Sequence, residues 1–290
     1  MKIGIKIALL SFGCFVSMGG AAQTVKLTLL PQPGRIVDIH NEDSSKMILN
    51  LIGDSELIEN NRARGVTFPL QIDTRRRSHQ EMVTSPKKND ASFSFRFNFL
   101  EASTESVDKD GNVLPIRDAQ SEFIGSTLNA EIGADGEFKS IAIEGKNVTP
   151  ELKSLLPQII ESLSGSNKSL EGAQVSLGES INQDFSLDMP MPKLQPIKLS
   201  GTTTYTLISV NDGIAQFQMK TIFTLGKNPE EVQIEASGSG TGTMEYDVKK
   251  QLMRKLLSVT SMKLKIIAGQ LQIESDGVMQ QTMTQSLKTK

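Results

Sequence analysis

The sequence predicts a mainly β protein with one or few helices: a strongly curved, half-barrel-like antiparallel sheet packed on a central amphipathic helix. Three observations lead there. Apolar and polar residues alternate over long stretches, which is the period of a half-buried strand. Turn signals such as Gly133-Ala134-Asp135-Gly136 and Asn211-Asp212-Gly213 separate those stretches and mark hairpins. One segment alone, Pro150 to Ser164, combines helical spacing with signals at both ends. Several expected strands exceed the usual ~5–6 residues, and long antiparallel strands in one sheet twist and coil. A curved sheet follows.

The elements are read in order. Val25, Leu27 and Leu29 alternate with Thr24, Lys26 and Thr28, so Val25 to Leu30 is a strand, and Met47 to Ile52 is a second. Between Gly53 and Lys88 the pattern weakens, leaving short strands, Val66 to Ile72 the best of them, among exposed loops that carry Arg75-Arg76-Arg77. Phe93, Phe95, Phe97 and Phe99 then place four rings on one face of the sharpest strand in the chain. Asp108-Lys109-Asp110-Gly111-Asn112 is a turn. Phe123 to Ile132 and Glu137 to Ile143 form a hairpin.

In the helix, Thr149 is the N-cap, Pro150 takes the first position and Glu151 meets the positive end of the dipole. Leu152, Leu155, Leu156, Ile159, Ile160 and Leu163 form one apolar face, Pro157 kinks it and Gly165 ends it. A polar linker, Ser164 to Gly172, separates an N-terminal β-rich half (23–165) from a C-terminal antiparallel half (173–290), expected to make one continuous domain. The second half reads as strands at Ser180 to Leu187, Ile197 to Val210, Ile214 to Leu225, Val232 to Tyr246, Leu256 to Ile267 and Leu271 to Thr284. Met189-Pro190-Met191-Pro192 is a stiff connector between the first two of these.

Residues 1–22 read as a secretory signal peptide. Lys2 and Lys6 open it, Ile7 to Met18 is its apolar core, and Gly20-Ala21-Ala22 gives the small residues a signal peptidase needs. The apolar run is shorter than the ~20 residues that span a bilayer, so the expectation is cleavage near Ala22 and a periplasmic or secreted chain that does not span the membrane. Acylation of Cys14 is the competing outcome. Cleavage removes the single cysteine of the 290-residue chain. What remains has neither thiol nor disulfide and depends on a hydrophobic core. A net charge of −2 lacks the basic stripe of a nucleic-acid binder, and with no Trp and two Tyr the chain is poor in sugar- or base-stacking platforms.

Ser176-Leu177-Gly178-Glu179, Gly201 to Val210, Asn211-Asp212-Gly213-Ile214-Ala215 and Gly240 to Asp247 carry a resemblance to a group of uncharacterised bacterial secreted proteins. More distantly the chain resembles the half-barrel lipoprotein-carrier fold of the periplasm. The resemblance extends chiefly over residues 176–262. It implies a fold and a compartment and no catalytic residue.

A search for chemistry yields little. Gly238-Ser239-Gly240-Thr241-Gly242 lacks nucleophile-elbow spacing and no helix follows it, so the glycines are expected to permit close approach in a coiled sheet. His40, near Asp38, Glu42 and Asp43, and His79, near Glu81, are the only histidines; both fall in polar segments expected to be exposed. With no cysteine in the mature chain and two histidines far apart in sequence, only a mixed His-carboxylate metal site is possible, and no metal, cofactor or catalytic constellation is predicted. Arg75-Arg76-Arg77 is either a solvated cluster or a dock for an anionic group. The best ligand-binding candidates are Phe93, Phe95, Phe97 and Phe99, with Leu152, Leu155, Leu156 and Ile159 as a lid. The expected role is a non-enzymatic exported protein that binds a hydrophobic small molecule. The alternative is an envelope interaction module, partnered by protein, in which those residues form a filled core.

Overall fold

The structure is a computed structural model. It describes residues 23–53, 55–63, 66–114, 121–145, 148–150, 153, 156, 170–189, 197–225, 233–269 and 271–288. Its strands are β1 (Thr24–Lys26), β2 (Ile36–Ile52), β3 (Leu70–Thr84), β4 (Phe93–Asp108), β5 (Ser126–Ile132), β6 (Phe138–Gly145), β7 (Gln174–Ser176), β8 (Ser180–Met189), β9 (Ile197–Asn211), β10 (Ile214–Leu225), β11 (Gln233–Asp247), β12 (Leu252–Ala268) and β13 (Leu271–Leu287). A helix, α1 (Ser55–Ala63), links β2 to β3. Its Glu56 and Arg62 stand at the dipole ends that favour them.

Eleven strands form one antiparallel sheet in the order β6-β5-β4-β3-β2-β13-β12-β11-β10-β9-β8, and β1 pairs with β7 in a separate ribbon. Each half of the chain is a meander, and the two join where β13 pairs with β2 from Gln272↔Ile52 to Leu287↔Val37. The sheet therefore runs through both halves. At ~4.8 Å between strands, a flat sheet of this width would hold its edges nearly 50 Å apart. Yet Phe138 on edge strand β6 and Gln183 on edge strand β8 line one cavity. The sheet is curled, and the curl gives it a concave face.

Two covers lie on that face. Over β9–β11, the β1–β7 ribbon and the strap that continues from it bury Val25, Leu27, Leu170 and Val175 against Tyr205, Leu207, Phe217, Met244 and Tyr246. Backbone polar groups of the strap find partners, as burial requires. The Glu171 carboxylate accepts from the N–H groups of Leu29 and Leu30, and the Tyr246 hydroxyl accepts from Thr28 N–H at 3.0 Å. Over β4–β6, Leu156 packs against the apolar clusters built on Phe93, Phe95, Leu128, Phe123 and Ile143.

The expected helix is described only at Pro150, Lys153 and Leu156, which are helical, with Lys153 N–H bonded to Thr149 C=O. Leu152, Leu155 and Ile159, expected lid residues, lie outside the described residues, as do the signal segment 1–22 and Cys14. Among the described residues no central amphipathic helix is present, and none is long and apolar enough to cross a membrane.

Several boundaries differ from the sequence reading. The first strand covers Thr24–Lys26 only, because Leu27 to Leu29 bond to the 170–173 turn and to side chains instead of a ladder. In the weak region the strand expected from Val66 begins only at Leu70, and the arginines expected in loops lie in it: β3 contains Arg75, Arg76, Arg77 and His79, and β2 is one 17-residue strand through His40. Both hairpin turns form as expected. Asp212 and Gly213 have φ of 52° and 80°, the left-handed pair a two-residue hairpin needs. At the Asp108 turn the carboxylate accepts from the Asn112 side-chain amide and from the N–H groups of Asn112 and Asp110, which holds it below the usual carboxylate range.

Candidate functional site

A cavity of about 570 Å³ opens on the concave face between the two covers. Alternation along each strand turns one side chain in two toward it, and the antiparallel register lines them up in rows. One row reads Phe97, Met82, Val37, Leu287 across β4, β3, β2 and β13. Another reads Asn41, Met283, Leu256, Met244 across β2, β13, β12 and β11. Phe95, Leu252 and the strap residues Leu29 and Leu30 complete an apolar wall. Four methionines among the lining residues, Met82, Met244, Met253 and Met283, give it adaptable surface.

The polar part of the lining is mostly amides, with Thr28, Tyr205 and Arg35 beside them. Asn41, Gln80, Gln183, Gln281 and Gln285 face the cavity, and among the described residues Arg35 is its only cationic lining residue. The Asn41 amide donates to Gln80 Oε1 at 2.9 Å, while its own Oδ1 is buried with no hydrogen-bond partner among the described residues. A buried acceptor left unpaired costs about 1–3 kcal/mol, so this atom suits a donor brought in from outside. Arg35 Nη1 donates to the Lys250 and Gln251 carbonyls, and burial lowers its pKa from the ordinary guanidinium value.

The four expected phenylalanines divide. Phe95 and Phe97 line the cavity. Phe93 is buried opposite Ile132, and Phe99 packs on Phe123 with ring centroids 5.0 Å apart. Phe93 and Phe99 are thus filled core, because partners from β5 and the turn before it cover them. The lid residue Leu156 lies with that core and is not among the residues lining the cavity. Met244 of β11 belongs to the adaptable methionines that the sequence offers for such a wall, whereas sequence reasoning missed the amides and the methionines of β3, β12 and β13. Their signal was the inward phase of strands whose extent or register was not yet known.

A larger depression, about 820 Å³, lies toward the far strand ends on the opposite face. Its walls alternate in sign, Glu235 opposite Lys265 opposite Glu274, and Lys263 pairs with Asp276 at 3.3 Å. Its apolar residues, Ile48, Pro69, Ala236 and Leu264, are interleaved with those charges and form no continuous apolar wall. The cavity under the strap is the better candidate despite its smaller volume.

The convex face carries a second cluster. His40 on β2 sits directly opposite His79 on β3, their rings stacked with centroids 4.2 Å apart. Both Nε2 atoms approach one carboxylate, at 2.9 Å to Asp38 Oδ2 and 2.7 Å to Asp38 Oδ1. Lys288 bridges Asp38 and Glu81 at 2.8 and 2.9 Å. Partial burial opposes ionisation of Asp38, but the bonds from Lys288, His79 and His40 outweigh it and hold the carboxyl far below its usual range. The histidines are therefore neither isolated nor in loops. Antiparallel pairing joins two residues that are 39 positions apart in the sequence.

The arginine triplet is split by the same alternation. Arg77 faces outward and pairs with Glu42 at 3.1 Å, whereas Arg76 lies opposite Asp43 on the inner face. Burial raises the pKa of Asp43 and the Arg76 charge opposes that rise. The triplet presents no single anion-binding surface.

The chain matches no protein-family model and no curated protein. Among solved structures it is similar to the translocator domain of autotransporter NalP from Neisseria meningitidis, at 6% identity and a TM-score of 0.20, covering 87% of this chain and 90% of that one. It is also similar to the V. cholerae type IV competence pilus secretin PilQ, at 8% identity and a TM-score of 0.14, covering 88% of this chain and 60% of that one. At these scores neither likeness bears on fold or function.

Proposed function

We propose that this is an exported, non-enzymatic protein that binds an amphiphilic small molecule in the cavity between strap and sheet. The observation that carries the reading is the cavity itself: about 570 Å³ with a largely apolar wall, within the range of ligand pockets. Phe95, Phe97, Met82, Leu256 and Met283 suit an apolar chain or ring system. Asn41 Oδ1 suits a hydroxyl or amide donor at the ligand's polar end. A curled open sheet with an apolar concave face also fits the resemblance to half-barrel lipoprotein carriers, and the expected signal peptide fits a role in the cell envelope.

Native mass spectrometry of protein purified from the envelope of its producing cell tests this. The expected result is a lipid-sized adduct that is lost in Leu256→Trp, a substitution that fills the cavity without placing a charge in it. Uptake of a fluorescent fatty-acid amide by stripped wild-type protein, blocked in the same variant, is the companion measurement. A clean apo mass together with no probe uptake overturns the proposal and leaves the filled-core interaction module.

A further inference from the structure

We propose that Asp38, His40 and His79 form a binding site on the convex face for a divalent transition metal of the zinc class. Their ligand atoms, two imidazole nitrogens and a carboxylate oxygen, all lie within 4.8 Å of one another. Zinc bonds nitrogen and oxygen at about 2.0–2.2 Å, so ligand atoms around a tetrahedral ion stand roughly 3.3–3.6 Å apart by the same bond lengths. The present nitrogen–oxygen separations of 2.7 and 2.9 Å need to open by only a fraction of an ångström to admit the ion. Side-chain rotation supplies that.

β2 and β3 are interior strands, each paired on both sides through this region. Asp38 and His40 are two apart on β2, and their direct cross-strand neighbours are Glu81 and His79. Four potential ligands thus occupy the corners of one square on one face. In the present structure the ammonium of Lys288 lies between Asp38 and Glu81. A metal ion arriving at Asp38 meets a cation already there. The Lys288 side chain is partly exposed and flexible, so it can swing away, and that motion frees Glu81 as a fourth ligand. Two imidazoles with carboxylates select zinc, nickel or copper over calcium and magnesium, which prefer all-oxygen cages. Nothing in this site depends on the cavity of the concave face, and the two proposals stand or fall separately.

The chain has two histidines, so the test is direct. Tag-free full-length protein is titrated with zinc chloride, and the two imidazole Hε1 resonances are followed by proton NMR. The expected result is that both resonances shift together and saturate at one ion per chain, and that Co²⁺ in place of Zn²⁺ gives the visible absorption of a tetrahedral site. His79→Ala and His40→Ala should each weaken binding by roughly tenfold or more, with the far-UV circular dichroism of the sheet unchanged. Lys288→Met, which removes the competing cation, should tighten it. Resonances that stay put, or move independently without saturating, overturn the site. So does zinc affinity that is equal in wild type and both alanine variants.

Discussion

At Tyr205 a single hydroxyl ties stability to pH. The residue lies on β9 under the strap, 7% exposed, and its hydroxyl donates to Gln183 Oε1 at 2.7 Å. Burial pushes the phenol up to about 12. Below pH 10 the phenol is protonated in folded and unfolded chains alike, and the folded state keeps its full stability. Between pH 10 and 12 the unfolded chain releases the proton while the folded one retains it, so stability falls through that window. By pH 11 the loss is on the order of 1 kcal/mol. Tyr205→Phe removes this part of the alkaline loss. At pH 8 the same substitution costs about 1 kcal/mol, because Gln183 Oε1 is left without its donor. Urea unfolding of both proteins at pH 8 and pH 11 checks it: the gap between them should narrow or reverse at the higher pH. An equal gap at both would show that Tyr205 is not the titrating group.

At the scale of elements, β11 shows how sequence sets curvature. Gly238, Gly240 and Gly242 fall on its concave side, in phase with Met244. A Cβ on Gly238 would stand 2.7 Å from the Ser261 carbonyl oxygen, and one on Gly242 would overlap the carbonyl oxygen of Leu257, both on β12. Those obstacles are backbone and cannot rotate aside. Gly242→Ala is therefore expected to cost about 1–3 kcal/mol, while Thr243→Ala, on the exposed side of the same strand, should change stability by less than ~0.5 kcal/mol. Thermal unfolding of the two variants measures the contrast, and equal effects would refute the close-packing account. The glycines, the Asp212-Gly213 hairpin and the phenylalanine stripe were legible because each depends on neighbours within a few residues. The middle of β2 and β3 was not. There the inner face carries Asn41, Asp43, Arg76, Ser78 and Gln80, so both faces are polar and the period of two disappears. Opposite charges at Asp43 and Arg76, and at Glu42 and Arg77, hold the register that hydropathy does not show. The candidate sites were hidden for the same reason: the paired histidines and the amides of the cavity become neighbours only through that register.

For the whole molecule, the consequential pairing is the one farthest apart in sequence. β2, the first strand of the large sheet, and β13, the last, meet along their full length and close the two meanders into one sheet. The cavity straddles this seam, with Val37, Ile39 and Asn41 on one side and Gln281, Met283 and Gln285 on the other. Lys288, just beyond β13, bonds to Asp38 on β2 and Glu81 on β3 and fastens the end of the seam. Neither meander holds the cavity alone, so the concave site and the fold should be lost together. Gln280 lies mid-seam, opposite Ser44 on one side and Val259 on the other. Proline there removes an N–H from an interior strand and forces a φ the ladder does not accommodate, a cost of about 3 kcal/mol or more. If the sheet is one cooperative unit, Gln280→Pro should speed amide hydrogen exchange in β5 and β10 alike, though they lie in opposite halves of the sheet. Exchange confined to β2, β13 and their immediate neighbours would show instead that each meander is stable on its own and the seam joins two independent units.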